Sequence, residues 1–453
     1  MKSFLHFLVA GVPVFLYLLQ VALNWVCLFE RMIQSHVQRL FSPARHTQGM
    51  NATQNLGREM TYLGIEGPAL IVAGRSAQAR LSDTWKQTLG EVGCRYSIHS
   101  FGGECSLAEI LRIRHAAEAL AARVVIGAGG GKVLDAARAT ARELGLPFVS
   151  CPTLASTDAP CSAVSVIYTE SGIVEQIRIL PCNPVLVLVD TQVIVQAPPR
   201  LLVSGMGDAL ATWFEARACA TSHASNLRGG RSTRSALALA ELCYRTLLED
   251  GMEAMVAAHR REVTPAFERI VEANTLLSGL GFESSGLATA HSIHNGLTVA
   301  PQTRSYYHGE KVAFGTLVQL VLEDSTMSDI EEVMGFCAQV GLPVTLAQIG
   351  LQELPREMLD KSLCAQSRRA NPFTMSPSRS PPPGLSMRLW WRTNLEVHGR
   401  RAERIQERKQ PSESNLQELT KGHNQAAPGL RVPKTRVRIV STSRGRKKRR
   451  YRW

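Results

Sequence analysis

The chain has 453 residues, 45% of them hydrophobic and 20% charged, a composition that excludes wholesale disorder and leaves room for two or three domains. Its ten cysteines form no CxxC pair, which excludes a small disulfide scaffold and zinc-finger spacing and points to a reducing compartment. The net charge of +13 is local: residues 365–453 hold 22 Lys and Arg against 5 Asp and Glu, the rest holds 29 against 33, and the body therefore carries no electrostatic footprint for nucleic acid.

In chain order, Phe4 to Phe29 is almost wholly apolar, broken by His6, Gln20 and Asn24. It is long enough to span a bilayer and lacks a small-x-small cleavage site. Residues 1–31 are read either as a membrane anchor through 4–29 or as an extension upstream of a start at Met32, with a cytoplasmic protein expected in the second case. A membrane partner is expected only if residues 1–31 are translated.

Short apolar, β-branched runs follow at Ala69–Gly74, Tyr96–Phe101, Val124–Gly130, Pro147–Thr153 and Pro184–Asp190. Helical patterns, such as Ser106–Ala121 and Lys132–Leu144, lie between the first four. Continuous apolar strands alternating with helices predict a buried parallel sheet. Ser162–Tyr168 and Glu175–Leu180 flank a turn at Thr169–Gly172 and predict a hairpin. Beyond Pro198 the pattern is helical, at Arg200–Ala220, Ser232–Glu249, Thr264–Leu280, Lys311–Leu322 and Ser328–Val340. The expected fold is an α/β domain (40–197) with a Rossmann-like sheet, then an all-α domain (198–364), with the active site in the cleft between them. Residues 365–453 read as a disordered or frame-shifted basic tail, ending RGRKKRRYRW. A nucleic-acid-binding tail on an inactive body is the remaining reading of that segment.

Three features carry chemistry. GAGGGKVLD (Gly127–Asp135) follows a strand and opens a helix, where glycines admit a pyrophosphate and the helix end offers free N–H groups. It is neither a spaced GxGxxG nor a Walker loop, and a tight strand–helix turn accounts for it equally. TLASTDAPCS (Thr153–Ser162) sits just past a strand end, where hydroxyls and one carboxylate can orient a ligand or merely form a turn. Asp208, His291 and His308 are dispersed candidates, and spacing alone would pair His291 with His294, one helical turn apart.

Taken together, FGGECS (Phe101–Ser106), GGGK, ASTDAPCSAVSVIYT, GMGDALATWFEARAC, ALALAELCY, GFESSGLATAHSIHNGL and YYHGEKVAFGTL strongly resemble the glycerol-oxidising members of the metal-dependent alcohol dehydrogenase family, the iron-containing type that often uses zinc. The resemblance covers about 70% of the chain, from Ser42 to Cys364. It implies that Asp208, His291 and His308 are the metal ligands and that His294 is not. It implies that Gly130, Gly131, Lys132 and Asp135 hold the pyrophosphate of NAD and that Thr153, Ser156, Ser162, Val164 and Tyr168 line the nucleotide. Asp158 matches a residue that contacts the polyol, and Asp158 or His294 is expected to assist proton transfer. The implied reaction is oxidation of glycerol, or another vicinal diol, to the ketone by hydride transfer from a metal-bound alkoxide to NAD. The metal is expected to be zinc, with iron as the alternative, and the enzyme to be a homo-oligomer.

Three departures from that pattern stand out. The family usually has Asp after the glycine that ends the first strand, whereas Gly74 is followed here by Arg75, a residue that can accommodate a 2′-phosphate and implies tolerance of NADP. The family begins near residues 32–40. Its last helices have no readable counterpart after Cys364, so the helical domain is expected to be truncated and its activity impaired.

Overall fold

A computed structural model of the protein describes residues 37–170, 172–298 and 300–351. The leader (1–31), the tail (365–453) and the suspected truncation point near Cys364 lie outside the described residues. Among those described, no helix is long and apolar enough to cross a membrane.

The apolar runs form strands, as expected: β2 (Ala69–Ala73), β3 (Tyr96–Ser100), β4 (Val124–Gly129), β5 (Phe148–Pro152) and β8 (Leu186–Asp190). A sixth strand, β1 (His46–Gly49), pairs with β8 at the sheet edge and escaped the sequence reading because HTQG has no apolar signature. The order is β1-β8-β5-β4-β2-β3, with every pairing parallel. Four of the strands are buried along their whole length because helices cover both faces.

Side chains alternate between those faces. Ala69, Ile71, Val124, Ile126 and Val149 pack on Leu56 and Met60 of α1 (Leu56–Tyr62) and on Leu81, Trp85 and Leu89 of α2 (Arg75–Glu91). Leu70, Val72 and Val125 pack on Ile110 and Ile113 of α3 (Leu107–Leu120) and on Leu134 and Ala137 of α4 (Gly131–Glu143). The chain runs outward from β2 to β3, then returns to place β4 on the other side of β2. The strand order thus reverses between β2 and β4, and the carboxyl ends there open a crevice, the usual ligand position in such sheets.

The predicted hairpin is present as β6 (Val164–Tyr168) and β7 (Val174–Ile179), antiparallel. It is fastened to α4 by a buried cation that the sequence reading overlooked. Arg138, 2% exposed, bonds Asp135 Oδ1 at 2.9 Å, the carbonyl of Ala159 at 2.5 Å and the carbonyl of Val164.

After the short α5 (Thr191–Ile194) the chain is helical: α6 (Pro199–Ser222), α7 (Arg234–Arg260), α8 (Pro265–Glu272), α9 (Ser278–Ser285), α10 (Thr289–Leu297), α11 (His308–Leu322) and α12 (Met327–Val340). The helix expected over Thr264–Leu280 runs on to Ser285, with a π-turn at Ala273–Leu277 joining α8 to α9. Phe214, Leu247, Phe267, Ile270, Leu317 and Phe336 centre the core of this half.

Residues 37–45 bind both halves. The Arg39 N–H donates to the carbonyl of Arg231 (3.1 Å), and the Phe41 N–H to Ser284 Oγ (3.0 Å). The Ala44 N–H donates to the carbonyl of Pro184 (3.2 Å), just before β8.

Candidate functional site

Three helices converge on one point. Asp208 lies midway along α6, His291 in the first turn of α10 and His308 at the first residue of α11. One donor atom from each lies within 4.8 Å of the others. His308 Nε2 is 3.0 Å and His291 Nε2 3.5 Å from Asp208 Oδ1. That oxygen is buried and completes no well-aligned hydrogen bond. Burial opposes the charge on Asp208, but the two imidazoles outweigh it and hold the carboxyl well below its ordinary range.

The two imidazoles of this cluster have fixed backs. The His308 position follows from the start of α11, where the Tyr307 N–H donates to Glu310 Oε2 at 2.7 Å and Arg200 of α6 grips the same carboxylate at 2.6 Å. The close crossing of α6 and α11 needs small residues beside the ligands. A Cβ on Gly207 would overlap the carbonyl of Gly309, and one on Gly309 would overlap the carbonyl of Ser204.

His291 leans on a residue the sequence reading missed. Glu215, fully buried, lies two helical turns after Asp208 on the same face of α6. Its Oε2 is 2.7 Å from His291 Nδ1, and its Oε1 accepts from the N–H groups of Ala288 (2.8 Å) and His291 (2.9 Å). Burial opposes a charged His291, yet Glu215 and Asp208 raise its pKa well above the ordinary value. The i, i+7 spacing of the two carboxylates in GMGDALATWFEA was the available signal.

His294 does not pair with His291. Its Nε2 meets Nδ1 of His308 at 3.0 Å, and its Nδ1 meets Asn295 Oδ1 at 3.2 Å. Burial, then His308, Lys311 and His291, drive its pKa well below the ordinary value. A neutral His294 protonated at Nδ1 accepts from His308 Nδ1 and leaves Nε2 of His308 free to face Asp208.

The loop after β5 joins this cluster to the glycine turn. The Thr153 N–H donates to the carbonyl of Gly129 at 3.0 Å, and the Asp158 N–H to Asp208 Oδ2 at 3.2 Å. Between them, Asn274 in the π-turn donates to the carbonyl of Ala155 (2.9 Å), and the carbonyl of Ser156 accepts from Ser204 Oγ (3.3 Å). Asp158 Oδ2 accepts from Ser278 Oγ at 3.3 Å, and burial together with Asp208 pushes its carboxyl well above the ordinary range.

Gly130 precedes α4 with no side chain capping the helix, so the N–H groups of Gly131 and Lys132 are available to an anion, while that of Val133 donates to the Gly130 carbonyl at 3.0 Å. Lys132 stands beside this turn with Nζ 2.6 Å from Glu104 Oε2 and 5.3 Å from the Tyr168 ring centroid. Val164 and Tyr168, half-buried, lie on β6 nearby. Arg75 is exposed at the first residue of α2, straight after β2.

Asp135 and Ser162, both expected to face a nucleotide, have hydrogen-bond partners within the protein. Asp135 is buried, its oxygens spent on Arg138 and on the N–H of Val166 (3.2 Å), and burial pushes its carboxyl up to about 6. Ser162 is buried with its hydroxyl on the carbonyl of Ala159 (3.3 Å).

Residues 43–191 match the sequence model of the iron-containing alcohol dehydrogenases. A glycerol dehydrogenase of Escherichia coli O6:H1 is 50% identical over 340 residues, 74% of this chain and 90% of that one. The crystal structure of glycerol dehydrogenase from Schizosaccharomyces pombe superposes with a TM-score of 0.75 at 35% identity, over 83% of this chain and 94% of that one. A probable glycerol dehydrogenase from Sinorhizobium meliloti 1021 gives 0.69 at 40% identity, over 74% and 92%.

Proposed function

We infer a reaction from one premise: the chain belongs to the iron-containing alcohol dehydrogenase family. It is an oxidoreductase acting on a small polyol. We propose that the polyol is glycerol, that the product is dihydroxyacetone and that the hydride acceptor is NAD. The observation that carries this is the convergence of Asp208, His291 and His308 within 4.8 Å, with one buried Asp208 oxygen completing no well-aligned hydrogen bond.

The donor set, one carboxylate and two imidazoles, suits a catalytic divalent ion, and we assign zinc, with iron as the alternative. When bound, such an ion supplies a positive centre that lowers the pKa of an alcohol. Asp208 contributes the negative charge, and His291 and His308 each turn Nε2 toward it. Asp158, hydrogen-bonded through its N–H to Asp208, is the residue we assign to hold a substrate hydroxyl. His294 keeps His308 in the tautomer that frees Nε2. The α/β domain (40–197) would hold the dinucleotide, with the N–H groups after Gly130 and the Lys132 ammonium available to its pyrophosphate and Thr153, Ser156, Val164 and Tyr168 to its remainder. Asp208 of α6, His291 of α10 and His308 of α11 would hold the metal.

One observation favours a second cofactor. The exposed Arg75 stands after β2 where an acidic residue would bind the ribose hydroxyls, and a guanidinium there suits the 2′-phosphate of NADP.

The test is glycerol-dependent reduction of NAD and of NADP by the purified full chain, before and after chelation and after zinc is restored. Chelator-sensitive, zinc-restored formation of the reduced cofactor is expected. Turnover that survives complete chelation would overturn the metal assignment.

A further inference from the structure

We propose that Glu215 is a positioning residue that fixes the tautomer of His291 and thereby sets the affinity of the site for its metal. The inference rests on the metal reading above.

The geometry leaves Glu215 one arrangement. Its Oε1 faces two backbone N–H groups, those of Ala288 and His291, which can only donate. Its Oε2 therefore remains for His291 Nδ1, 2.7 Å away. A carboxylate oxygen accepts, so Nδ1 carries a hydrogen, and Nε2, which faces Asp208 3.5 Å away, is the nitrogen left to give its lone pair to a cation. One buried side chain thus orders the first turn of α10 and dictates which nitrogen of its histidine can bind a cation.

The two imidazoles are backed unequally. Behind His291 stands a carboxylate, and behind His308 a neutral imidazole, His294 Nε2 at 3.0 Å. A carboxylate partner raises the basicity of the ring it accepts from, so His291 is the stronger donor of the pair.

Two substitutions separate this role from plain structural support. In Glu215→Gln the amide keeps the size of the carboxylate and its oxygen still serves the two N–H groups. Its NH2 then faces His291 Nδ1, which must accept, moving the ring hydrogen to Nε2. Glu215→Ala removes the partner and leaves His291 free to choose its tautomer. The experiment is zinc titration of the chelator-stripped full chain against a competing chromophoric chelator, with the melting temperature of each metal-free variant measured alongside.

Zinc binding weakened about 10–100-fold in Glu215→Gln, and more in Glu215→Gln than in Glu215→Ala, is the expected result. It should hold although the Gln variant melts closer to the parent. Zinc affinity that simply follows the melting temperature, or that is unchanged in Glu215→Gln, would overturn the proposal. If Glu215→Gln does not fold, nitrogen-15 spectra of histidine-labelled parent chain with zinc decide the matter. A hydrogen on Nδ1 of His291, protected from exchange, supports the inference, and rapid exchange of that hydrogen with water overturns it. Parent chain that binds no zinc at one equivalent would instead refute the metal reading itself.

Discussion

Gly207 and Gly309 face each other across the crossing of α6 and α11, each adjacent in the chain to a residue of the carboxylate–imidazole cluster, Asp208 and His308. Their missing side chains let the two backbones come close enough for Asp208 Oδ1 and His308 Nε2 to stand 3.0 Å apart. Gly309→Ala places a methyl group against the Ser204 carbonyl, and overpacking of this kind costs on the order of 1–3 kcal/mol. A lower melting temperature and weaker zinc binding are expected together. Parent-like values of both would show that the crossing has slack.

Acid sensitivity should come in part from His46. Burial lowers its pKa from 6.5 to about 4, so the folded chain keeps the ring neutral where the unfolded chain protonates it. The unfolded state binds the extra proton between those values. The stabilisation is therefore complete above pH 6.5 and lost as pH falls toward 4, at about 1.4 kcal/mol per unit or roughly 3 kcal/mol in all. Urea unfolding of the chelator-stripped chain across that range should flatten by close to one proton in His46→Val. Equal slopes in the two proteins would rule the assignment out.

Arg138 is the peg of the hairpin. Its replacement by Met leaves Asp135 in the core without its cation, a loss of about 3–5 kcal/mol for a broken buried pair. Urea unfolding measures this directly. Adding Asp135→Asn to Arg138→Met should recover part of the loss, because no buried charge then stands alone; no recovery would mean that the backbone carbonyls, not Asp135, dominate the interaction.

Cofactor choice should turn on Arg75. A guanidinium bond to a phosphate is worth about 1.5–3 kcal/mol, or roughly 10–100-fold. Arg75→Asp is expected to move the ratio of kcat/KM for NADP over NAD downward by that factor. An unchanged ratio would assign Arg75 to solvent.

What the sequence made readable follows from signal strength. Buried parallel strands announce themselves as unbroken apolar runs, and all five such runs became strands. β1 did not, because an edge strand of four polar or small residues has no period to detect. Asp208, His291 and His308 lie up to 100 residues apart, and nothing in spacing joins them; the neighbouring pair His291 and His294 looked better by periodicity. Only the resemblance to known motifs selected Asp208, His291 and His308 together, and the fold brings one donor atom of each within 4.8 Å of the others. Asp135 has an internal partner for a geometric reason. It follows the glycine turn by one helical turn and so points toward the hairpin, where the buried Arg138 waits. A charged residue inside an apolar helix face could have been read as half of a pair.

The strap at residues 37–45 bears on motion. It makes a second crossing between the α/β and helical halves, in addition to the covalent passage through α5 into α6. A body attached to another at a single joint can swing and twist in any direction. Here the strap is one tie among several: Gln48 Nε2 donates to the carbonyl of Glu268 at 2.8 Å, Thr191 Oγ1 to Glu268 Oε1 at 2.7 Å and Asn274 Nδ2 to the carbonyl of Ala155 at 2.9 Å. Ties spread along the seam oppose such movement together, and the contact of the Asp158 N–H with Asp208 Oδ2 at 3.2 Å lies between them.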